Sequence, residues 1–501
     1  MPLLTQLALG LLFAILVAHF FKLQWLRRRF PPGPTPLPII GNLWTLKFVL
    51  HHEILMQLAK TYGNIFTVWL GHTPVVVLNG CQTIREGLIG HSAELSGRPT
   101  TPLFQKISKG KGVLLSSGHN WKQQRRFGLM TLKNLGLGKK KLEARIQEEA
   151  ESLVEYFAMK KGKILDPAPA IVYSVTSVIS AVIFGHRFSR DDKELHRLIE
   201  SLNVVIDTFV SMCALLFDVF PWLMRHLPGP HNDLFESNAY VVKFVKKEIK
   251  SHKENGFSQE PQDMIGFYLN KLSQDPPDST STFDEANMIS LASDFFAAGM
   301  ETTSTALRWA LLYLVTQPEI QEKVKKELSA TFGESQVIQY EDRKRVPYTN
   351  AVIHEVLRIS SIAPIGIIRQ TVNDTSLQGF NIEKGTLIIA NLSSSLYDPA
   401  YWETPRQFNP GHFLDKEGNF IKKEAFLPFS AGHRVCLGEQ LARTELFIFL
   451  TSLLRAFTLK LPEGVKNVNM DPVFGGTMKP HPYQICAVPR YAKGAPGRRK
   501  D

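Results

Sequence analysis

The spacing of apolar positions divides the chain into regions of different character. Pro2 to Phe21 is apolar apart from Thr5, Gln6 and His19, and carries no Lys, Arg, Asp or Glu. A helix of that length crosses a hydrocarbon core of about 30 Å once. Lys22, Arg27, Arg28 and Arg29 follow, and such basic flanks stay on the cytosolic side. A cleaved signal peptide usually has its basic residues before the apolar run and a small-residue site after it. Here Trp25 and three arginines occupy that place, so residues 1–21 read as an uncleaved transmembrane anchor. Residues 22–41 read as a basic, proline-rich hinge, with PPGPTPLPIIGN running from Pro31 to Asn42. Proline fixes φ and removes N–H donors, so this stretch ends the helix and is expected to be a stiff spacer.

Beyond Asn42 the period changes. Helical spacing around Ile54 to Tyr62 gives way to Ile65–Leu70 and Val75–Leu78, split by Gly71, His72, Thr73 and Pro74, which predicts a hairpin. From Leu142 onward helical patterns dominate, with amphipathic stretches at Glu143–Ala158 and Ala239–Lys253. Leu198 to Leu227 is unusually apolar and holds Phe209, Phe217, Phe220 and Trp222. It reads either as a core helix pair or as a lid that touches lipid and admits apolar substrate. Asp275 to Ser281 is a polar turn. Phe283 to Gln317 is the longest helical candidate, with capping-box spacing between Thr282 and Glu285 and Pro318 at its end. At 1.5 Å per residue it runs about 50 Å. Strands return at Phe380–Ile382 and Thr386–Leu392, and the end from Arg490 is basic, with 491–501 read as a disordered tail. The whole pattern predicts a mainly α fold with small β-sheets behind one N-terminal transmembrane helix.

Composition narrows the class. With 501 residues, 44% hydrophobic and 21% charged, the chain has material for a large core, and length alone suggests about three domains. Its four cysteines, Cys81, Cys213, Cys436 and Cys486, form no CxxC pair, which leaves a zinc site unsupported and suggests a reducing compartment. A formal charge of +12 suits nucleic acid, an anionic membrane face or an acidic protein partner. The absence of a zinc-finger or RNA-binding motif sets nucleic acid aside.

The strongest chemical signal is FSAGHRVCLG, Phe429 to Gly438. A thiolate that ligates iron needs a backbone that curves around the sulfur, which Gly432 and Gly438 permit. It also needs an aromatic cover, which Phe429 supplies, and a cation for an anionic cofactor edge, which Arg434 supplies. Upstream, the long helix contains AAGMETT, Ala297 to Thr303. Gly299 permits close approach of a flat ligand, and a threonine hydroxyl can bond the carbonyl one turn back and open the helix. Glu301 and Thr302 side by side offer an acid and an alcohol for proton delivery. Glu355 and Arg358 lie three apart on one helical face, with FNPGHF from Phe408 to Phe413 downstream. Trp121 and Arg125 are both donors, four apart on another helix.

Together these stretches resemble the cytochrome P450 family over nearly the whole chain. The anchor, hinge, AAGMETT and FNPGHF variant resemble its microsomal family 2 branch. The resemblance implies a cytochrome P450 fold, a haem-thiolate catalytic domain over 42–490, and haem b ligated by Cys436. It places Trp121, Arg125, Arg98, Arg369 and Arg434 at the haem carboxylates, and Thr302 with Glu301 at the proton relay. It implies substrate contacts at Phe104, Val113, Leu114, Phe209, Asp294, Phe295, Ala298, Ala363, Ile367 and Thr477. Glu355 and Arg358 match the family's structural pair, with His412 where many relatives have arginine, so that a histidine bonding the backbone or the pair is expected. Lys122, Arg126, Lys133, Lys139, Lys140, Lys141 and Arg443 read as a solvated face or as a docking patch for an acidic electron donor; the resemblance favours docking.

The expected function is a monooxygenase of the endoplasmic reticulum membrane, with its catalytic body in the cytosol. It inserts one atom of O2 into fatty acids, steroids or foreign compounds. The implied electron donor is NADPH-cytochrome P450 reductase, with cytochrome b5 as a further candidate. The sequons at Asn373 and Asn391 would then stay unused. The rival readings are a haem-thiolate peroxide isomerase and a non-catalytic haem-binding membrane protein; the acid–alcohol pair argues against the first, and that pair with the basic patch against the second.

Overall fold

The computed structural model describes residues 2–138, 140–254, 256, 260–274, 280–333 and 336–490. Lys139, most of the polar turn (275–279) and the tail (491–501) lie outside the described residues.

The first helix spans Pro2–Arg27, and its most apolar window has a mean hydropathy of 2.1 with no residue buried. It runs past the expected stop at Phe21, because Lys22 and Arg27 are good helix formers and nothing breaks the ladder before Pro31. The proline-rich segment is then laid against the protein, where a free spacer was expected. Pro31, Pro34 and Pro36 are buried. Pro32 O accepts from Thr67 N at 2.9 Å, Arg27 donates to Gly33 O at 2.6 Å, and a Cβ at Gly33 would collide with Thr67 O. The cause is complementary need: prolines lack donors but keep carbonyls, and the neighbouring strand is a sheet edge with N–H groups to satisfy.

That strand, Ile65–Leu70, pairs antiparallel with Thr73–Leu78 in the expected hairpin. The hairpin joins a four-stranded sheet in which Val75–Leu78 runs parallel to Leu387–Ala390, and Arg369–Gln370 closes the far edge. Its strands are near-continuous apolar runs, as buried strands are. The strand expected to reach Leu392 stops at Ala390, because Asn391 turns the chain into the helix Leu392–Leu396. Asn391 itself is buried, donating to His52 O and Asn79 Oδ1.

The long helix spans Glu285–Thr316, 32 residues, or about 48 Å. Its N-cap is Asp284, where Thr282 was expected. The Asp284 carboxylate accepts from Asn287 N at 2.6 Å, while Thr282 is engaged by Gln123 and Gln124. The helix runs through the main core, burying Phe296, Trp309 and Leu311 with Phe447 and Phe449 of the helix Glu439–Ala456. The apolar helix Ala168–Ile183 packs beside it. A Cβ at Gly299 would stand 2.9 Å from the Ile179 side chain, so that glycine is set by helix packing as well as by the cavity it lines. The expected amphipathic stretches lie within Lys140–Met159 and Pro230–Glu254.

The apolar stretch after Leu198 forms two helices, Lys193–Phe209 and Met212–Val219, meeting at 62°, and a short turn, Pro221–Met224. Leu202, Ala214 and Phe217 face inward, while Met212, Trp222 and Leu227 are exposed. One face is core and the other is open.

Candidate functional site

The loop before the helix Glu439–Ala456 is wound tightly. Cys436 N donates to Phe429 O at 2.9 Å, closing the turn. Gly432 has φ 71°, and a Cβ there would collide with the Leu88 carbonyl; protein packing alone demands this glycine. Gly438 has φ −90°, and a Cβ there would meet no protein atom within 4 Å. The space it leaves open belongs to the cavity it lines. The Cys436 sulfur faces that cavity, with the N–H groups of Gly438 and Glu439 directed at it. Burial pushes its thiol pKa up, so the protein alone favours the neutral thiol. A metal at the sulfur reverses that balance, since a coordinating thiol loses its proton.

The cavity has about 1710 Å³ of empty space, part of it continuous with solvent. Arg98, Arg125, Arg369 and Arg434 line it, held by neutral oxygens. Arg98 donates to Leu114 O at 3.0 Å and Ile367 O at 2.9 Å. Arg125 donates to Val435 O at 2.7 Å, and Arg369 to Ser430 Oγ at 2.9 Å. Arg434 donates to Ser96 O at 2.8 Å and Ser116 O at 2.6 Å, and lies 4.0 Å from the centre of the Trp121 ring. Among the described residues none of the four has an ion pair. Burial first, then repulsion by neighbouring arginines, lowers Arg434 to about 9, Arg369 to about 10 and Arg98 well below its ordinary value. Two buried donors of the cavity wall, Trp121 Nε1 and Arg369 Nη1, have no partner among the described residues. Such donors cost about 1–3 kcal/mol each when unmet. A flat apolar group with carboxylates at one edge and a metal facing Cys436 fits this donor set.

Opposite the loop, Thr302 lines the cavity and its hydroxyl donates to Ala298 O at 2.7 Å. Glu301 does not join it there. Its carboxylate is buried on another face of the helix, accepting from Thr477 Oγ1 at 2.6 Å and lying 3.1 Å from Lys479 Nζ. Neighbours in sequence on a helix do not share a face, so the acid and the alcohol are separated. Thr477, expected at the substrate, is buried against Glu301 and is not part of the cavity wall.

Val113, Leu114, Phe295 and Ala298 line the cavity, as do Ala363 and Ile367. Asp294 lines it too, but its carboxylate accepts from Val113 N at 2.7 Å and Leu114 N at 2.9 Å, shaping that loop, and burial raises it to about 7. Phe104 and Phe209 stand one layer behind, their rings 5.1 Å apart, in a cluster with Leu114 and Ile367. Sequence reasoning missed Glu445, a buried wall residue that bonds Thr303 and is raised to about 8 by desolvation. Its signal was a lone carboxylate in the apolar run ELFIFL.

Residues 31–487 match the family model described as Cytochrome P450. The chain belongs to the cytochrome P450 family. Human "Cytochrome P450 2J2" is 44% identical over 487 residues, 97% of this chain and 96% of that protein. Rat "Cytochrome P450 2J3" is 42% identical, covering 97% of each chain, and human "Cytochrome P450 2C8" is 40% identical, covering 92% of this chain and 95% of the relative. These relatives place the P450 in family 2, as an oxidoreductase of the monooxygenase type. Enzymes of this family bind haem b through a cysteine thiolate and use O2, an apolar substrate and a redox partner.

A buried ion cluster in the P450 ties the helix Pro347–Ser360 to the segment from Leu396 to His412. Arg358 grips Glu355 with two bonds of 2.7 Å and donates to the carbonyls of Leu396, Pro405 and Gln407. His412 Nδ1 lies 3.2 Å from Glu355 Oε1, while its Nε2 faces Thr404 N at 3.2 Å. An N–H can only donate, so Nε2 accepts and the hydrogen sits on Nδ1, toward Glu355. The histidine therefore donates to the pair through Nδ1 and accepts from the backbone through Nε2.

Proposed function

We propose that this P450 hydroxylates or epoxidises apolar organic compounds (fatty acids, steroids or foreign compounds) with electrons from NADPH-cytochrome P450 reductase. The observation that carries the reading is the Cys436 sulfur, open to an apolar cavity whose opposite wall holds Thr302 and whose rim holds four arginines that have no counter-ion among the described residues. Cys436 is the iron ligand. Trp121 and Arg369 offer their free donors to the carboxylates, with Arg98, Arg125 and Arg434 supplying charge. Phe429 covers the sulfur from the loop side. Bound there, haem supplies oxygen activation, to which a thiolate contributes electron density that favours O–O cleavage. Thr302 holds a hydroxyl at the cavity wall, bonded to the Ala298 carbonyl one turn back in an unbroken helix. Glu301 is the acid one step behind, and it must turn from Thr477 to pass a proton. Val113, Leu114, Phe295, Ala298, Ala363 and Ile367 set the apolar contact surface, with Phe104 and Phe209 as its backing.

The helix Gly118–Asn134 supports the reductase assignment. Lys122, Arg126 and Lys133 are exposed along it beside Leu129 and Met130, and Lys140 and Lys141 follow. Arg443 leaves this patch: it pairs with Glu439 at 2.9 Å and donates to His354 Nε2 at 2.8 Å, so its charge is spent inside. Lys139 lies outside the described residues. Cytochrome b5 would share the same basic face. The apolar first helix, its basic flank and the exposed Trp222 and Leu227 suit a body held on the cytosolic face of the endoplasmic reticulum.

The test is reconstitution of the full-length protein with haem, reductase and lipid. The reduced, carbon-monoxide-treated protein is expected to show a thiolate-type spectrum, lost in Cys436→Ala. NADPH-dependent product from a panel of lipids and drug-like compounds completes it. Retained spectrum and oxidation in Cys436→Ala would overturn the assignment.

A further inference from the structure

Three elements meet at Lys479. The residue lies on the segment closed by the short strands Pro472–Val473 and Lys479–Pro480. Its ammonium is 3.0 Å from Asp207 Oδ2 on the lid helix Lys193–Phe209 and 3.1 Å from Glu301 Oε1 on the long helix. Thr477 of the same segment holds Glu301 at 2.6 Å. The segment is also fitted to the lid itself. A Cβ at Gly476 would collide with Ile206 O, and one at Gly475 would stand 2.6 Å from Asp207 Oδ1. Glycine is needed at 476 because the segment touches the lid helix backbone there, while at 475 the crowding comes from the Asp207 side chain.

The two ion pairs differ in strength. The side chains of Glu301, Lys479 and Asp207 are 7%, 17% and 46% exposed. Charges attract more strongly where water is excluded, while a pair with one partner in solvent is worth under about 1 kcal/mol. The Asp207 contact is therefore the one that opens first. An ammonium shared by two carboxylates holds each less firmly than an ammonium held by one. Whether Asp207 is in place thus sets how firmly Lys479 grips Glu301.

We propose that Lys479 is a positioning residue that couples the lid to the acid of the long helix. With the lid seated, Asp207 draws the ammonium and loosens its hold on Glu301, which can turn toward the cavity. With the lid lifted, the ammonium belongs to Glu301 alone and pins the carboxylate against Thr477. Proton delivery is thereby confined to the closed state. The proposal rests on the reading of Glu301 as the acid of a monooxygenase site.

Hydrogen–deuterium exchange of residues 199–209 in the ferric, haem-loaded full chain tests the coupling without turnover. Lys479→Met and Asp207→Asn are each expected to speed lid exchange about two- to fivefold. Glu301→Gln is expected to slow it, because the ammonium then serves Asp207 alone. A passive bolt predicts no slowing in Glu301→Gln, so unchanged or faster lid exchange there overturns the proposal, as does unchanged exchange in Lys479→Met. In turnover, Asp207→Asn is expected to raise the solvent deuterium isotope effect on kcat, since Glu301 is then held more tightly; an isotope effect at or below the native value counts against the coupling. If no substrate is oxidised under any condition, the monooxygenase reading fails while the exchange pattern stands. If oxidation proceeds and the exchange pattern is missing, the coupling alone fails.

Discussion

Two carboxylate–cation clusters serve the helices around the cavity, and they are built to opposite specifications. Glu355 and Arg358 are 0% exposed and His412 is 4% exposed at its side chain, with the guanidinium and carboxylate bonded to fixed backbone and side-chain groups. Glu301, Lys479 and Asp207 run instead from buried to solvent-facing across three elements. The same chemical groups give rigidity when every partner is desolvated and directional, and give a contact that can open when one partner reaches water. The first kind fixes the helix Pro347–Ser360 against the segment from Leu396 to His412. The proposed coupling of the lid to Glu301 needs the second.

The comparison is broken most severely at the rigid cluster. Arg358→Met leaves Glu355 buried without its cation, a loss of about 3–5 kcal/mol; denaturant titration should show it, with loss of the haem absorbance. Gly432→Ala comes next, since it places a Cβ into Leu88 O at a positive φ; strain of this kind costs about 1–3 kcal/mol and should lower the melting temperature with or without haem. Gly438→Ala sharpens the contrast. Its Cβ meets no protein atom, so the haem-free protein should melt within about 0.5 kcal/mol of the native chain, while haem titration should show weaker binding.

Glu445 and Asp294 make the stability of the haem-free protein depend on pH. Burial raises them from ordinary values of 4.5 and 3.8 to about 8 and about 7. An acid raised on folding gains a proton as the chain folds. Its contribution is full below the unfolded value and is lost as pH climbs through the folded one. Stability should therefore fall between about pH 4 and pH 8, and Glu445→Gln should flatten the upper part of that fall in melting curves. The smallest effect belongs to the open cluster: Asp207→Asn should change global stability by under about 1 kcal/mol while still altering lid exchange.

Much of this was legible in the sequence because it is local. The apolar run from Pro2, the hairpin at Ile65–Leu78 and the long helix follow from period and breakers within a few residues. The turn that presents Cys436 is likewise written in consecutive residues, from Phe429 to Gly438. The misreadings have a common origin in the facing of side chains. Glu301 and Thr302 are adjacent in the chain yet look in different directions, and only the helix's place in the body decides which one meets the cavity. Arg443 is basic and near the loop, yet Glu439 and His354 absorb it.

The chain's linear order determined that there is a tight loop around Cys436, an apolar first helix and a helix long enough to cross the body. Each of these depends on short-range backbone geometry or on bulk hydrophobicity. The tertiary structure alone decided which cations are left without anions, why Gly432 and Gly438 are glycine for different reasons, and that Thr477 and Lys479 reach back to Glu301 across 176 residues of chain or more. Pairings of that kind depend on which surfaces the core brings together, and no period or motif encodes the direction in which a buried side chain finally points.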